Sequence, residues 1–198
     1  MDQLFAEITS LFTISQGRFE NVAMLVALSM GLAWGSGVNL YGMLVVVGVM
    51  ALTDHADLPG RLKLLGSYIV VAVTAAMYLI EFFVARTSRE DETGWYAIQS
   101  FIYIPAGGLL AAGAVAGSGI VAAVGASIAG AFLTYVTYSS ILGPNRCSDL
   151  FSRQTSTVFK DSVMLAGIWT VFHFPLLFMA LLSGFIFFCI LSRALRID

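Results

Sequence analysis

Two of the apolar stretches in this chain are too long to cross a bilayer as straight helices. Four such stretches stand out, roughly 22–52, 66–85, 105–142 and 162–191, and most of the charges lie between them. The second has an ordinary length for one crossing, which takes about 20 residues. A continuous helix from Asn21 to Leu52 would run about 46 Å, against a hydrocarbon core of about 30 Å. The third stretch is longer still. A tilt of about 20° lengthens the path by only a few per cent. The surplus must project beyond the bilayer, break into half-helices, or turn back towards the side it entered.

Composition sets the class. With 59% hydrophobic and 11% charged residues among 198, the chain reads as an all-α, polytopic integral membrane protein with one membrane domain over 1–198. Leu4, Phe5, Ile8, Leu11 and Phe12 recur at helical spacing, which predicts a short amphipathic interfacial segment over 1–17. That segment is acidic and lacks the cationic start of a cleaved signal. A net charge of −2 without any Lys/Arg cluster excludes nucleic acid as a partner. Cys147 and Cys189 share no metal-ligand spacing, so neither a metal nor a cofactor is expected.

Both overlong stretches contain glycine-serine-glycine, as Gly35-Ser36-Gly37 and as Gly117-Ser118-Gly119. Each copy is followed by a hydrophilic linker and another apolar span, which suggests an internal repeat with halves 18–92 and 93–198. Repeated halves with discontinuous helices are a common transporter plan. Counting positive charges does not orient the chain: Arg18, Arg86, Arg89, Arg193 and Arg196 balance Arg61, Lys63, Arg146, Arg153 and Lys160.

On a helix Gly31, Gly35 and Asn39 share one face, with Gly42 beside it. That face could pack closely on another helix with Asn39 bonding across, or the chain could unwind at Gly35–Gly37 and present Asn39 and Tyr41 to a polar cavity. Ser118, Ala122, Ala126 and Gly130 step by four and read as a packing face. The hydroxyls of Thr134, Tyr135, Thr137, Tyr138, Ser139 and Ser140 read as an interfacial end or a pathway lining. Glu81 lies inside the second span, where an ionised group costs at least ~2.5–3.5 kcal/mol, and is either a pathway residue or one that reaches out beside Arg86. Asp161 opens the final span either as a pathway residue or as a helix-start acid near the caps Ser156 and Thr157. His173, two residues before the kink former Pro175, is a relay candidate or a packing residue. Neither glycine-serine-glycine copy has the further glycine two residues before its serine that an intramembrane serine protease motif needs, and no HExxH occurs, so no catalytic residue is expected.

The segments "GLAWGSGVNLY", "YLIEFF" and "WYAIQSFIYIPAGGLLAAGA" together resemble a family of small glycine- and alanine-rich bacterial membrane proteins, a domain of unknown function. The family pattern is matched by Asn39, by Glu81 and Phe82, by Trp95, Ser100, Phe101, Pro105, Ala106 and Gly107, and by Asp161. The family's aspartate after the glutamate-phenylalanine pair is absent, since Ala85 and Arg86 stand there, and its asparagine-proline step is replaced within "RQTSTVFKD". The resemblance implies a bacterial multi-span fold in the inner membrane and no reaction. From the broken spans the expectation is a transporter or permeation protein for a small solute or ion, with Asn39, Tyr41, Glu81, Asp161 and His173 on the pathway near the midplane. The competing reading is a non-catalytic scaffold or lipid-organising subunit, and an intramembrane enzyme comes last. Membrane lipid is the expected partner, with a homo-oligomer if the glycine faces are not used within one chain.

Overall fold

The computed structural model describes residues 22–87, 92–142 and 150–194. The segment 1–17 and Cys147 lie outside them. The chain is all-helical where described: α1 (Val22–Leu52), a 3-10 helix (Gly60–Gly66), α2 (Tyr68–Thr87), α3 (Glu92–Val115), a 3-10 turn (Ala116–Ser118), α4 (Ile120–Leu142), α5 (Leu150–His173) and α6 (Pro175–Ala194). By length and composition Val22–Leu52, Ala97–Ser118 and Ile120–Ile141 could cross a membrane. The 3-10 helix and Tyr68–Phe83, bent by 66° at their junction, make a fourth candidate together. At that bend the Ser67 hydroxyl accepts from the Val70 N–H at 3.3 Å and starts α2.

The first overlong stretch folds back on itself. Its one non-helical residue is Asn39, at φ −161° and ψ 101°, two residues beyond the glycine-serine-glycine. A Cβ built on Gly35 would lie 3.5 Å from Met43 Cβ, whereas a straight helix sets residues eight apart about 12 Å apart along its axis. Contacts with the rest of the bundle give the direction of the return. Ser29 in the first arm bonds the Ala111 carbonyl of α3. Gly48 in the second arm meets Leu65, and the nearby Leu62 meets Gly113 of α3. Both arms therefore end near the same end of α3, and α1 is a re-entrant hairpin with Asn39 at its tip. The arms, 22–38 and 40–52, are about 25 Å and about 20 Å long.

Gly35-Ser36-Gly37 stays helical inside the first arm. The buried Ser36 hydroxyl donates to the Leu32 carbonyl at 2.7 Å, and the glycines provide clearance: Gly35 for Ile168 of α5, Gly37 for Thr137 of α4. Gly31 likewise lies against Val171.

The second copy does the opposite. Gly119 has φ +106°, a conformation that favours glycine, and α3 and α4 turn there into an antiparallel pair. Gly117, Ser118 and Gly119 are exposed, and no atom lies within 4 Å of a Cβ built on either glycine. The stretch 105–142 is thus two helices, each long and apolar enough to cross a membrane, because α3 reaches back to Glu92 through residues whose polarity hid it. Pro105 lies inside α3, on its exposed side, and does not end it. The expected packing face on α4 is real only in its second half: Ala122 is exposed, while the buried Gly130 would place a Cβ 3.1 Å from the Gly107 carbonyl. Gly107 in turn has no room for a Cβ beside the Thr134 hydroxyl. That hydroxyl bonds the carbonyls of Gly130 and Ala33, each at 2.8 Å, and so ties α4 to α1.

The last apolar stretch is divided at Phe174, before Pro175, into α5 and α6. Among the described residues two helices precede Glu92 and four begin at or after it, so the two copies of the tripeptide do not mark equivalent helices. The core forms where both arms of α1 are enclosed, with Leu28, Leu32, Met43, Val47 and Ile168 at 0% exposure.

Two substitutions test this packing. Gly107→Ala drives a methyl into Thr134 and is expected to destabilise the detergent-solubilised protein by about 1–3 kcal/mol. Gly117→Ala, at the open turn, should stay within about 0.5 kcal/mol. Thermal unfolding of both variants checks the contrast.

Candidate functional site

The hairpin tip is held by one side chain. Asn39 leaves helical geometry, and its Oδ1 accepts the Gly42 N–H at 2.9 Å, the bond of a helix N-cap. Gly42 lets the amide lie close, since a Cβ there would be 3.1 Å from Asn39 Cγ. The other end of the amide points away from its own helix: Nδ2 donates to Asp161 Oδ1 of α5 at 2.9 Å. Tyr78 of α2 donates its phenol to Asp161 Oδ2 at 2.7 Å. Asp161 thus joins three helices.

A second carboxylate lies one turn along α2 from Tyr78. Glu81 Oε1 accepts from Gln99 Nε2 and from the Tyr103 hydroxyl, each at 2.5 Å, both on α3. Tyr138 of α4 donates to Gln99 Oε1 at 3.2 Å. The rings of Tyr41, Tyr103 and Tyr138 stand edge to face in a row, with centroids 6.0 and 5.6 Å apart. The two carboxylates repel each other, and the Lys160 charge attracts both. Five helices therefore contribute to one polar network inside an apolar bundle.

The network is off-centre. Tyr103 lies six residues inside the start of the Ala97–Ser118 span, a depth of about 9 Å. Tyr138 is three residues from the far end of Ile120–Ile141. Along these helices the network lies nearer the end where α2 stops and α3 starts than their middle. The hairpin reaches that end from the opposite side.

Of the residues singled out by sequence, Asn39, Tyr41, Glu81 and Asp161 are brought together and His173 is not. Twelve residues along α5 from Asp161, about 18 Å by helical rise, the His173 ring stacks on Trp169 at 4.0 Å and its Nδ1 lies 3.0 Å from the Trp169 carbonyl. The capping role considered for Asp161 fails because α5 begins eleven residues earlier, at Leu150. Tyr78, Gln99 and Tyr103 were missed, and Tyr138 was read only as part of a hydroxyl-rich end. Their signal was the i, i+3 and i, i+4 spacing of Tyr78 with Glu81 and of Gln99 with Tyr103, which puts each pair on one helical face. The interfacial reading of the hydroxyl-rich end fails for Thr134, Thr137 and Tyr138, which are buried, while Tyr135 is exposed.

Among the described residues no three His, Cys, Asp or Glu side chains form a metal-binding group. A half-open cavity of about 400 Å³, lined by Ala51, Asp54, Ala56, Asp57, Leu58, Lys63 and Gly66, lies where the second arm meets the 3-10 helix, and no network residue lines it. The network itself offers two carboxylates, two amides and a row of phenols, a set suited to hydrogen-bonding a small polar species or holding a cation.

The fold and this network define a polytopic helical membrane protein with an ionisable polar site at the tip of a re-entrant hairpin. The family model for the domain of unknown function DUF4126 matches residues 26–194, and the chain belongs to that family. No curated protein and no solved structure matches it.

Asn39 carries a direct test. Asparagine and aspartate cap helices about equally well, and replacing either with alanine costs about 0.5–2 kcal/mol. If capping were its whole role, Asn39→Asp would be as stable as the wild type. Because Nδ2 also serves Asp161, Asn39→Asp is expected to unfold at a clearly lower temperature than the wild type, no better than Asn39→Ala, in a thermal scan in detergent.

Proposed function

We propose that this protein passes a small solute or ion across the bacterial cytoplasmic membrane, using the Asn39, Tyr41, Glu81 and Asp161 network as its polar site. The observation that carries the reading is the convergence of two carboxylates from α2 and α5 on the tip of a re-entrant hairpin. Ionisable groups within membrane helices are costly and typically face pathways or pair with one another, and discontinuous helices commonly frame transporter sites. The family resemblance supports placing it in the bacterial inner membrane.

The competing scaffold reading rested on glycine faces free to bind another protein. Gly31, Gly35, Gly37, Gly107 and Gly130 are filled by residues of the same chain, which removes most of its support. A catalytic role finds no support in the geometry, since the Ser36 hydroxyl is tied to its own helix and His173 lies at the Pro175 kink.

The test uses liposomes that hold the purified protein and a pH- or sodium-sensitive dye. With an imposed proton or sodium gradient, wild type should dissipate it at least about tenfold faster than Glu81→Gln, a loss of about 1.4 kcal/mol or more in the transport barrier. Equal rates for wild type, variant and empty liposomes would remove the proposal for these ions.

A further inference from the structure

The donors of Tyr78, Tyr103, Tyr138, Asn39 and Gln99 go to other acceptors, and none reaches Glu81 Oε2. A phenol has one proton to give. That of Tyr78 goes to Asp161, that of Tyr103 to Glu81 Oε1, and that of Tyr138 to Gln99. The Asn39 amide serves Asp161 and the Gln99 amide serves Oε1. Glu81 Oε2 is closed off from solvent and has no hydrogen-bond partner. The same holds for Thr137 Oγ1, in a residue at 0% exposure. Thr134, one turn earlier, bonds the carbonyl four residues before it. Thr137 does not, although it lies directly under the tip, where a Cβ on Gly37 would be 2.7 Å from Thr137 Cβ.

A buried carboxylate oxygen left bare carries a large desolvation penalty, and a positive charge placed on it removes that penalty. We propose that Glu81 Oε2 is the seat of a bound monovalent cation, either a proton taken from bulk water or Na⁺. A single bare carboxylate oxygen suits a single charge, while Ca²⁺ takes six to eight oxygen ligands, carboxylates prominent among them, and Mg²⁺ an octahedral set. The groups facing the site from the surrounding helices are Tyr41, Tyr78, Tyr103, Tyr138, Asp161 and Lys160. The Asp161 charge favours the cation and the Lys160 charge opposes it. The site is the one assigned above to transport, but binding does not require flux.

Two measurements on wild-type protein in phospholipid nanodiscs decide the matter and separate the two cations. A bound proton gives a protonated-carboxyl C=O stretch in the infrared near neutral pH, which shifts in D₂O and is absent in Glu81→Gln. Bound Na⁺ raises the unfolding temperature progressively with NaCl and not with choline chloride at equal ionic strength, as linkage requires. That rise is also absent in Glu81→Gln. Wild type showing neither signal, or either signal surviving in Glu81→Gln, overturns the proposal. Should Glu81→Gln fail to fold, Tyr103→Phe removes a donor that stabilises the carboxylate at Oε1. It should move the carboxyl titration to higher pH or shift the sodium midpoint, and an unmoved signal overturns the assignment. Binding without gradient dissipation would sink transport and keep the cation site, and dissipation without either signal would do the reverse.

Discussion

A helix broken inside an apolar bundle exposes main-chain N–H and carbonyl groups where no water is available, and such groups must find partners in the protein. Here the Asn39 amide meets that requirement at the start of the returning arm, capping Gly42 with one end and binding Asp161 with the other. The rest follows from this double bond. It makes the reversal of α1 tolerable, and it ties the reversal to a carboxylate on α5. Through Tyr78 it reaches α2 and the neighbouring Glu81. Double-mutant cycles place one interhelical hydrogen bond in a membrane at about 0.6 kcal/mol on average. The tip is therefore secured by several coupled bonds and by the close fit of Gly35 on Met43, with no single contact sufficient.

The length of the first apolar stretch announced that α1 could not be straight, and this much was legible. The location of the reversal was less so. Glycine permits a break without requiring one, and Gly35 and Gly37 are used for clearance while Ser36 satisfies itself on Leu32. Asparagine carries its own acceptor and donor, so the chain turns where those can be used. The identical tripeptide at 117–119 has no crowded neighbours, and there the positive φ of Gly119 decides. Local sequence was the same in the two places and tertiary surroundings differed. α3 was partly hidden for a related reason: Gln99 and Tyr103 lower its apparent hydropathy, yet they face Glu81 within the bundle.

Much of the site was visible as individual residues, because a polar or charged group in an apolar run needs a reason. Asn39, Glu81 and Asp161 each drew notice on that ground. Their grouping was not visible, since it depends on how α1, α2 and α5 meet, and pairings between residues 122 positions apart leave no trace in spacing. The tyrosines were harder still, as an aromatic phenol reads equally well at a headgroup or on a buried acid. His173 shows the converse: a titratable ring beside a proline looked chemical, and it is satisfied by stacking on Trp169 within its own helix.

The reversal of α1 also makes the bundle unequal front to back. From the end where α3 begins, the carboxylate level lies about 9 Å inside the apolar span, roughly the width of three water molecules. From the opposite end the same oxygens sit behind both arms of α1, whose inner residues Leu28, Leu32, Met43 and Val47 are fully buried. The two carboxylates therefore lie at unequal helical depths from the two ends of the bundle, so the two faces of the protein are not interchangeable.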